Sequence, residues 1–104
     1  MKLTPDWNCG VAKAMTILGG KWRLNIIWAL SKQEQIRFNQ LKRDVKGITN
    51  VMLTRSLDAL IAEQLVARYD FQTIPPRVAY ALTPKGQSLI PIVKNLNAWG
   101  QANL

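Results

Sequence analysis

Between Thr49 and Arg55 the chain reads TNVMLTR, which places two hydroxyls, an amide, apolar tips and a guanidinium within two helical turns. That assortment suits the edges of base pairs. An arginine fork at Arg55 can reach O6 and N7 of guanine together, Val51 or Met52 can meet a thymine methyl, and Asn50 and Thr54 complete the set of candidate base contacts. Around this stretch stand Lys42, Arg43 and Lys46, with Arg37 and Asn39 before them and Arg77 after. Such cations, and the Asn39 amide among them, suit phosphate oxygens, which position a protein on a duplex without reading its sequence. The Thr49 hydroxyl and the backbone N–H groups around it join that set, because a helix N-terminus carries partial positive charge. Cys9 offers a different chemistry. If Asn8 caps a first helix, Cys9 sits at its start with Lys13 one turn on, and both features favour a thiolate that reacts with oxidants and electrophiles. The same cysteine reads equally as a small apolar side chain packed near Trp7.

Composition narrows the chemistry further. The 104 residues carry a formal net charge of +8 with a pI of about 10.2, which favours a polyanionic partner such as double-stranded DNA. There is no histidine, one cysteine and few carboxylates, so neither a histidine-based triad nor a typical transition-metal ligand set can be assembled. An enzyme is not expected, nor is a metal or other cofactor. The opening MKLTPDWNC lacks the apolar run of a secretory signal and no stretch has the length of a membrane span, which points to the cytoplasm. With no Gly/Ser-rich or Pro-rich linker, residues 1–104 are expected to form one domain.

The elements that must position these residues follow from periodicity. Val11, Met15 and Leu18 space out as a first short helix, broken by Gly19-Gly20. Lys21 to Leu30 opens a second helix, apolar on more than one side and so expected to be covered on more than one side. Arg37 to Val45 is a short helix with Phe38, Leu41 and Val45 inward, and Lys46-Gly47 supplies a turn. Ile48 to Val66 reads as one amphipathic helix: Leu53, Leu57, Leu60 and Ile61 form its inner stripe, Thr49 caps it, and Ile48 staples onto Leu53. Short helix, glycine turn and longer capped helix is the order of a helix-turn-helix, although an ordinary helical hairpin gives the same pattern.

Beyond Gln64 the rhythm changes to two residues. Leu65 to Phe71 and Arg77 to Leu82 read as strands of a hairpin whose tip holds Arg77 beside Pro75-Pro76. Such a hairpin is a wing that lays a basic residue along or into the minor groove, or else a structural cover for the core. Thr83-Pro84 starts a last helix running toward Gly100, with a kink expected at Pro91 where a helical N–H is missing. Its apolar surface is wider than one contact covers. It reads as a homodimer interface together with the N-terminal helix, with Met15, Leu18, Trp28, Ile92, Leu96 and Trp99 as candidates, unless the excess packs back on the same chain.

Several landmarks together resemble the HxlR-like family of bacterial winged helix-turn-helix transcriptional regulators. They are Cys9, Leu18-Gly19-Gly20-Lys21-Trp22, Arg37-Phe38-Asn39-Gln40-Leu41, Gly47-Ile48-Thr49, Leu53-Thr54, Pro75-Pro76-Arg77-Val78, Tyr80-Ala81-Leu82-Thr83, Gly86 and Ala98-Trp99-Gly100. The resemblance implies a homodimer joined through terminal helices, binding inverted-repeat operator DNA as a repressor or activator. In several members the cysteine matching Cys9 senses oxidants, electrophiles or quinones. Gly10 stands where the family often has proline, Val51 where a basic or polar residue is frequent, and Trp28 at a position commonly charged.

The expected fold class is thus mainly α with a small β-hairpin, a winged helix-turn-helix with terminal helices forming a dimer interface. The expected function is sequence-specific regulation of transcription, with a redox or electrophile response through Cys9 as its further part. The alternative is a winged-helix protein-interaction module that does not read DNA.

Overall fold

The computed structural model describes residues 9–104. In chain order they form α1 (Gly10–Leu18), α2 (Arg23–Leu30), β1 (Ile36–Arg37), α3 (Phe38–Asp44), α4 (Asn50–Ala62), β2 (Val66–Asp70), β3 (Val78–Leu82), α5 (Pro84–Gln87) and α6 (Ile90–Asn103). The expectation of a mainly helical chain with a small β-hairpin holds, and a short third strand joins the hairpin. The core is one cluster built from Ile26, Ile27 and Leu30 of α2, Leu41 of α3, Leu53, Leu57 and Leu60 of α4, and Val66 and Leu82 of the sheet. Burying each such side chain contributes roughly 1.5–3 kcal/mol, so α4 is held by its inner stripe rather than by helix propensity.

Local sequence explains most boundaries. Thr49 has extended backbone and its hydroxyl accepts from the Met52 N–H at 3.1 Å, the cap its side chain predicts. Ile48 and Leu53 are both buried in the core, as a staple requires. Gly47 adopts φ +90, a left-handed conformation open to glycine and costly for other residues, and it turns the chain between α3 and α4. At the far end α4 stops at Ala62 instead of reaching Val66. Gln64 takes φ 61, and the Leu65 N–H donates back to the Leu60 carbonyl at 3.0 Å, which closes the helix before the strand begins.

Other boundaries differ from expectation. The second helix begins at Arg23, because Lys21 and Trp22 belong to a turn. The Arg23 guanidinium donates to the Ile17 carbonyl and so ties that turn to the end of α1. The third helix starts at Phe38, and Arg37 ends a two-residue strand instead. The hairpin strands are each shorter by a residue or two, and the sheet has three strands in the order β1-β3-β2. β3 pairs with β2 from Val66↔Leu82 to Asp70↔Val78 and with β1 at Ile36↔Tyr80 and Arg37↔Ala79. Its central place explains why Ala79 to Leu82 are buried without alternation, while the edge strand β2 turns solvent-exposed beyond Ala67.

The last helix is two helices. Thr83 caps α5 by accepting from the Gly86 N–H at 3.1 Å, as expected, but α5 ends at Gln87 and a turn at Ser88 and Leu89 precedes α6. Pro91 therefore lies in the first turn of α6, where its missing N–H has no helical partner to lose, and no mid-helix kink forms. Gly100 does not stop α6, which continues to Asn103.

The terminal helices are covered on one side only. α1 joins the core through Leu18 and the half-buried Ala14 and Ile17, and leaves Val11 and Met15 exposed. α6 joins it through Val93, with Leu89 and Ile90 half-buried ahead of it, and leaves Ile92, Leu96 and Trp99 exposed, the last at 57%.

Candidate nucleic-acid interface

Recognition by a helix needs side chains that are uncommitted to their own protein, on a support that does not move. The inner stripe of α4 supplies the support, since Leu53, Ser56, Leu57 and Leu60 are all buried. On the opposite side Asn50, Val51, Met52, Thr54 and Arg55 are exposed, and Asp58 continues that side further along. The five candidate base contacts thus share one solvent-facing surface within the first two turns of α4. The cap on Met52 uses one of the orphan N–H groups at the helix start, and the positive end of the helix dipole faces outward beside Thr49.

The phosphate candidates precede α4 along the chain. Lys42 and Arg43 lie exposed in the last turn of α3, and Lys46 in the turn to α4. Arg43 is oriented by a short relay: its guanidinium donates to the Gln40 amide oxygen at 2.7 Å, and the Gln40 amide nitrogen donates to Asp44 at 2.8 Å. From Arg37 to Arg55 the sequence holds five cations against one carboxylate, so the local field is positive.

The wing brings the remaining cation to the start of α3. Arg37, Asn39, Arg43 and Arg77 line one open cleft of about 700 Å³ between the start of α3 and the wing, with Gln33, Gln35 and Pro76 on its walls. Three guanidiniums around one concave surface suit a phosphate backbone passing through it. The Arg77 guanidinium lies 4.9 Å from the centre of the Phe71 ring, a cation–π contact that presents it from the hairpin.

Two features of this site were not read from the sequence. Strand β1 fixes Arg37 against Ala79, but two residues carry no alternation to detect. The Phe71 platform for Arg77 spans the hairpin loop, and only the aromatic six positions before the arginine hints at it. Among the interface candidates, Met15, Ile92, Leu96 and Trp99 are exposed, whereas Leu18 is buried in its own core. Trp28 lines the groove between α2 and α3 beside Val45 and Lys46, with the Lys32 ammonium 3.7 Å from its ring centre. These two do not lie on the exposed apolar faces of α1 and α6. Cys9 is exposed at the capping position of α1 and its thiol makes no cap hydrogen bond; Asn8 and Trp7, on which its two readings depend, lie outside the described residues.

Among the described residues no cluster of potential metal ligands occurs, and no helix is long and apolar enough to cross a membrane. The HxlR-like helix-turn-helix family model matches residues 17–104. An HTH-type transcriptional regulator of Halalkalibacterium halodurans is 40% identical over 89 residues, covering 86% of this chain and 79% of that protein. Among solved structures, a protein assigned to the MarR family of transcriptional regulators, from Porphyromonas gingivalis W83, superposes with a TM-score of 0.90 at 38% identity over 100% of both chains. The redox regulator HypR in its oxidized form superposes with a TM-score of 0.86 at 35% identity, covering 92% of this chain and 98% of that one. The chain belongs to the HxlR-like helix-turn-helix family and is a transcriptional regulator of the winged-helix type.

Proposed function

We propose that this regulator reads an inverted-repeat operator as a homodimer, with α4 in the major groove and the wing over the adjacent minor groove. The observation that carries the reading is the exposure of Asn50, Val51, Met52, Thr54 and Arg55 on the first two turns of α4, together with the exposed Lys42, Arg43 and Lys46 and the arginine-lined cleft. In this reading Arg55 takes guanine, Val51 and Met52 contact thymine methyls, and Thr49 with the lysines and arginines holds phosphates. It works in the cytoplasm, on chromosomal DNA.

The homodimer rests on the exposed apolar side chains of α1 and α6. Met15, Ile92, Leu96 and Trp99 leave large apolar side chains in water on two terminal helices, and a twofold pairing would bury them. A redox response through Cys9 rests on its exposure and on the presence of a redox regulator among the similar structures. With one cysteine per chain, oxidation by diamide joins two thiols of different molecules. Two electrons and two protons pass to the diazene, giving its hydrazine, and one S–S bond forms between two copies or with a small thiol.

Selection of bound duplexes from a random-sequence pool tests DNA reading and symmetry together. The expected product is a pseudo-palindrome whose half-site centres lie about one or two helical turns apart. Enrichment of no motif defeats the DNA reading and favours an interaction module, and enrichment of one isolated half-site defeats the dimer. For Cys9, diamide should change the wild-type affinity for that duplex and leave Cys9→Ser unaffected. Identical responses of the two would remove the redox arm.

A further inference from the structure

The wing loop between β2 and β3 is shaped in advance. The Phe71 N–H donates to the Arg77 carbonyl at 2.9 Å and closes its base. Within it the Gln72 N–H donates to the Asp70 carboxylate at 2.8 Å, and the Thr73 hydroxyl donates to the Pro75 carbonyl at 2.9 Å. Pro75 and Pro76 have their φ fixed by their rings. At the apex of this small frame stands Ile74, 100% exposed. A single exposed aliphatic residue is ordinary on a protein surface. This one differs in being carried on a stiff projection, two residues from Pro76 and three from Arg77, both of which line the cationic cleft. Ile74 is not itself part of the cleft lining and stands beyond it on the loop.

We propose that Ile74 is an apolar wedge, which the wing presses into the minor groove at a base-pair step flanking the bases met by α4. This rests on the DNA-reading function proposed above and adds to it a second source of sequence preference. A branched side chain on a fixed loop gains nothing from phosphates, but it can leave water by entering between base edges and deoxyribose rings. Entry partly unstacks a step and bends the duplex toward the major groove. The energy needed is lowest at pyrimidine–purine steps such as TA or CA/TG, so those steps should be favoured where the wing lands, without any hydrogen bond to their bases. Arg77, held on Phe71 beside the wedge, anchors the adjoining backbone.

The probe is the duplex that the wild-type protein enriches from a random pool, with 2-aminopurine at the step under the wing and donor and acceptor dyes at its ends. Wild-type protein should raise the 2-aminopurine emission and shorten the end-to-end distance. Ile74→Ala removes only a solvent-exposed side chain beyond Cβ and should fold normally. It is expected to lose both signals and to bind on the order of tenfold more weakly, a scale set by the few methylene-sized groups no longer buried. The salt slope should stay the same, because no phosphate contact is removed. Equal emission and equal bend with Ile74→Ala overturn the wedge, and so does a wild-type complex with neither signal; a wing tip that docks on another protein gives one of these results. If the wild-type protein enriches no duplex at all, the underlying DNA reading has failed, a distinct outcome from a bound but unbent duplex.

Discussion

At the C-terminal end of α4, three hydrogen bonds from one neighbouring segment, Thr83 to Lys85, grip the chain. The Thr83 hydroxyl donates to the Gln64 carbonyl at 2.6 Å, the Lys85 ammonium to the Glu63 carbonyl at 3.0 Å, and the Thr83 N–H to the Leu65 carbonyl at 3.1 Å. At the N-terminal end, Thr49 caps the helix from within its own segment, and the side chains of the first two turns are exposed apart from Leu53 and Ser56. One helix thus has an anchored end and an empty end. The contrast has a physical reason: a side chain already bonded to its own protein must give up that bond before it can contact a base, so the reading end is left free. The anchor is what makes that freedom useful, since it fixes where the free groups are presented.

The anchored end should be the more sensitive to small changes in volume. Gly86 is buried against the junction, and a Cβ there would lie 2.1 Å from the Leu65 carbonyl oxygen, an atom of backbone that cannot swing away. Gly86→Ala should cost about 3 kcal/mol and lower Tm by on the order of 15 °C, with an unchanged urea m-value. The comparison with wild type is made at one protein concentration, because dimerisation adds to apparent stability. An unchanged midpoint would mean that the junction yields freely, and the contrast between the two ends would collapse.

The empty end should respond in binding and not in stability. Arg55→Ala is expected to lower affinity for the selected duplex by about 1–3 kcal/mol and to relax preference at one base position, while thermal stability moves by no more than about 0.5 kcal/mol. Lys42→Ala should instead weaken all sequences alike and reduce the salt slope by about one. Titrations at two salt concentrations separate the two patterns. If Arg55→Ala left affinity and preference intact, the reading surface would have to be moved off this side of α4.

How much of this the sequence discloses follows the range of each interaction. The Thr49 cap, the Thr83-Pro84 start and the glycine turn at Gly47 depend on neighbours within four residues, so local pattern is enough. Strand β1 depends on a partner more than forty residues away and is two residues long, so no local pattern exists. The place of Pro91 escapes local pattern for a subtler reason: a helical period continues smoothly across Ser88 and Leu89, and a proline in a first turn has the same spacing as one in a helix interior. Leu18 and Trp28 mark a further limit. An apolar stripe requires cover but does not say from which chain or element, and Leu18 is covered by its own core while Trp28 is half-buried against that core and lines the groove beside α3. The exposed side of α4 was readable because it is defined by what its inner stripe excludes.

Thr49 stands where stability and binding meet, and it carries the smallest effect of the set. Its hydroxyl is acceptor to Met52 N–H, and it is also placed among the groups proposed to hold a phosphate. Thr49→Ala should cost about 1 kcal/mol of stability through the lost cap, and Thr49→Ser should restore it. Thr49→Asp divides the two roles. A carboxylate caps well and is favoured by the helix dipole, so stability should match or exceed wild type. The same charge set against a phosphate should weaken every duplex by about 1 kcal/mol, the size of one like-charge contact in a well-solvated setting. If Thr49→Asp kept both stability and affinity, Thr49 would be a cap alone, and the free end of α4 would meet DNA only from Asn50 onward.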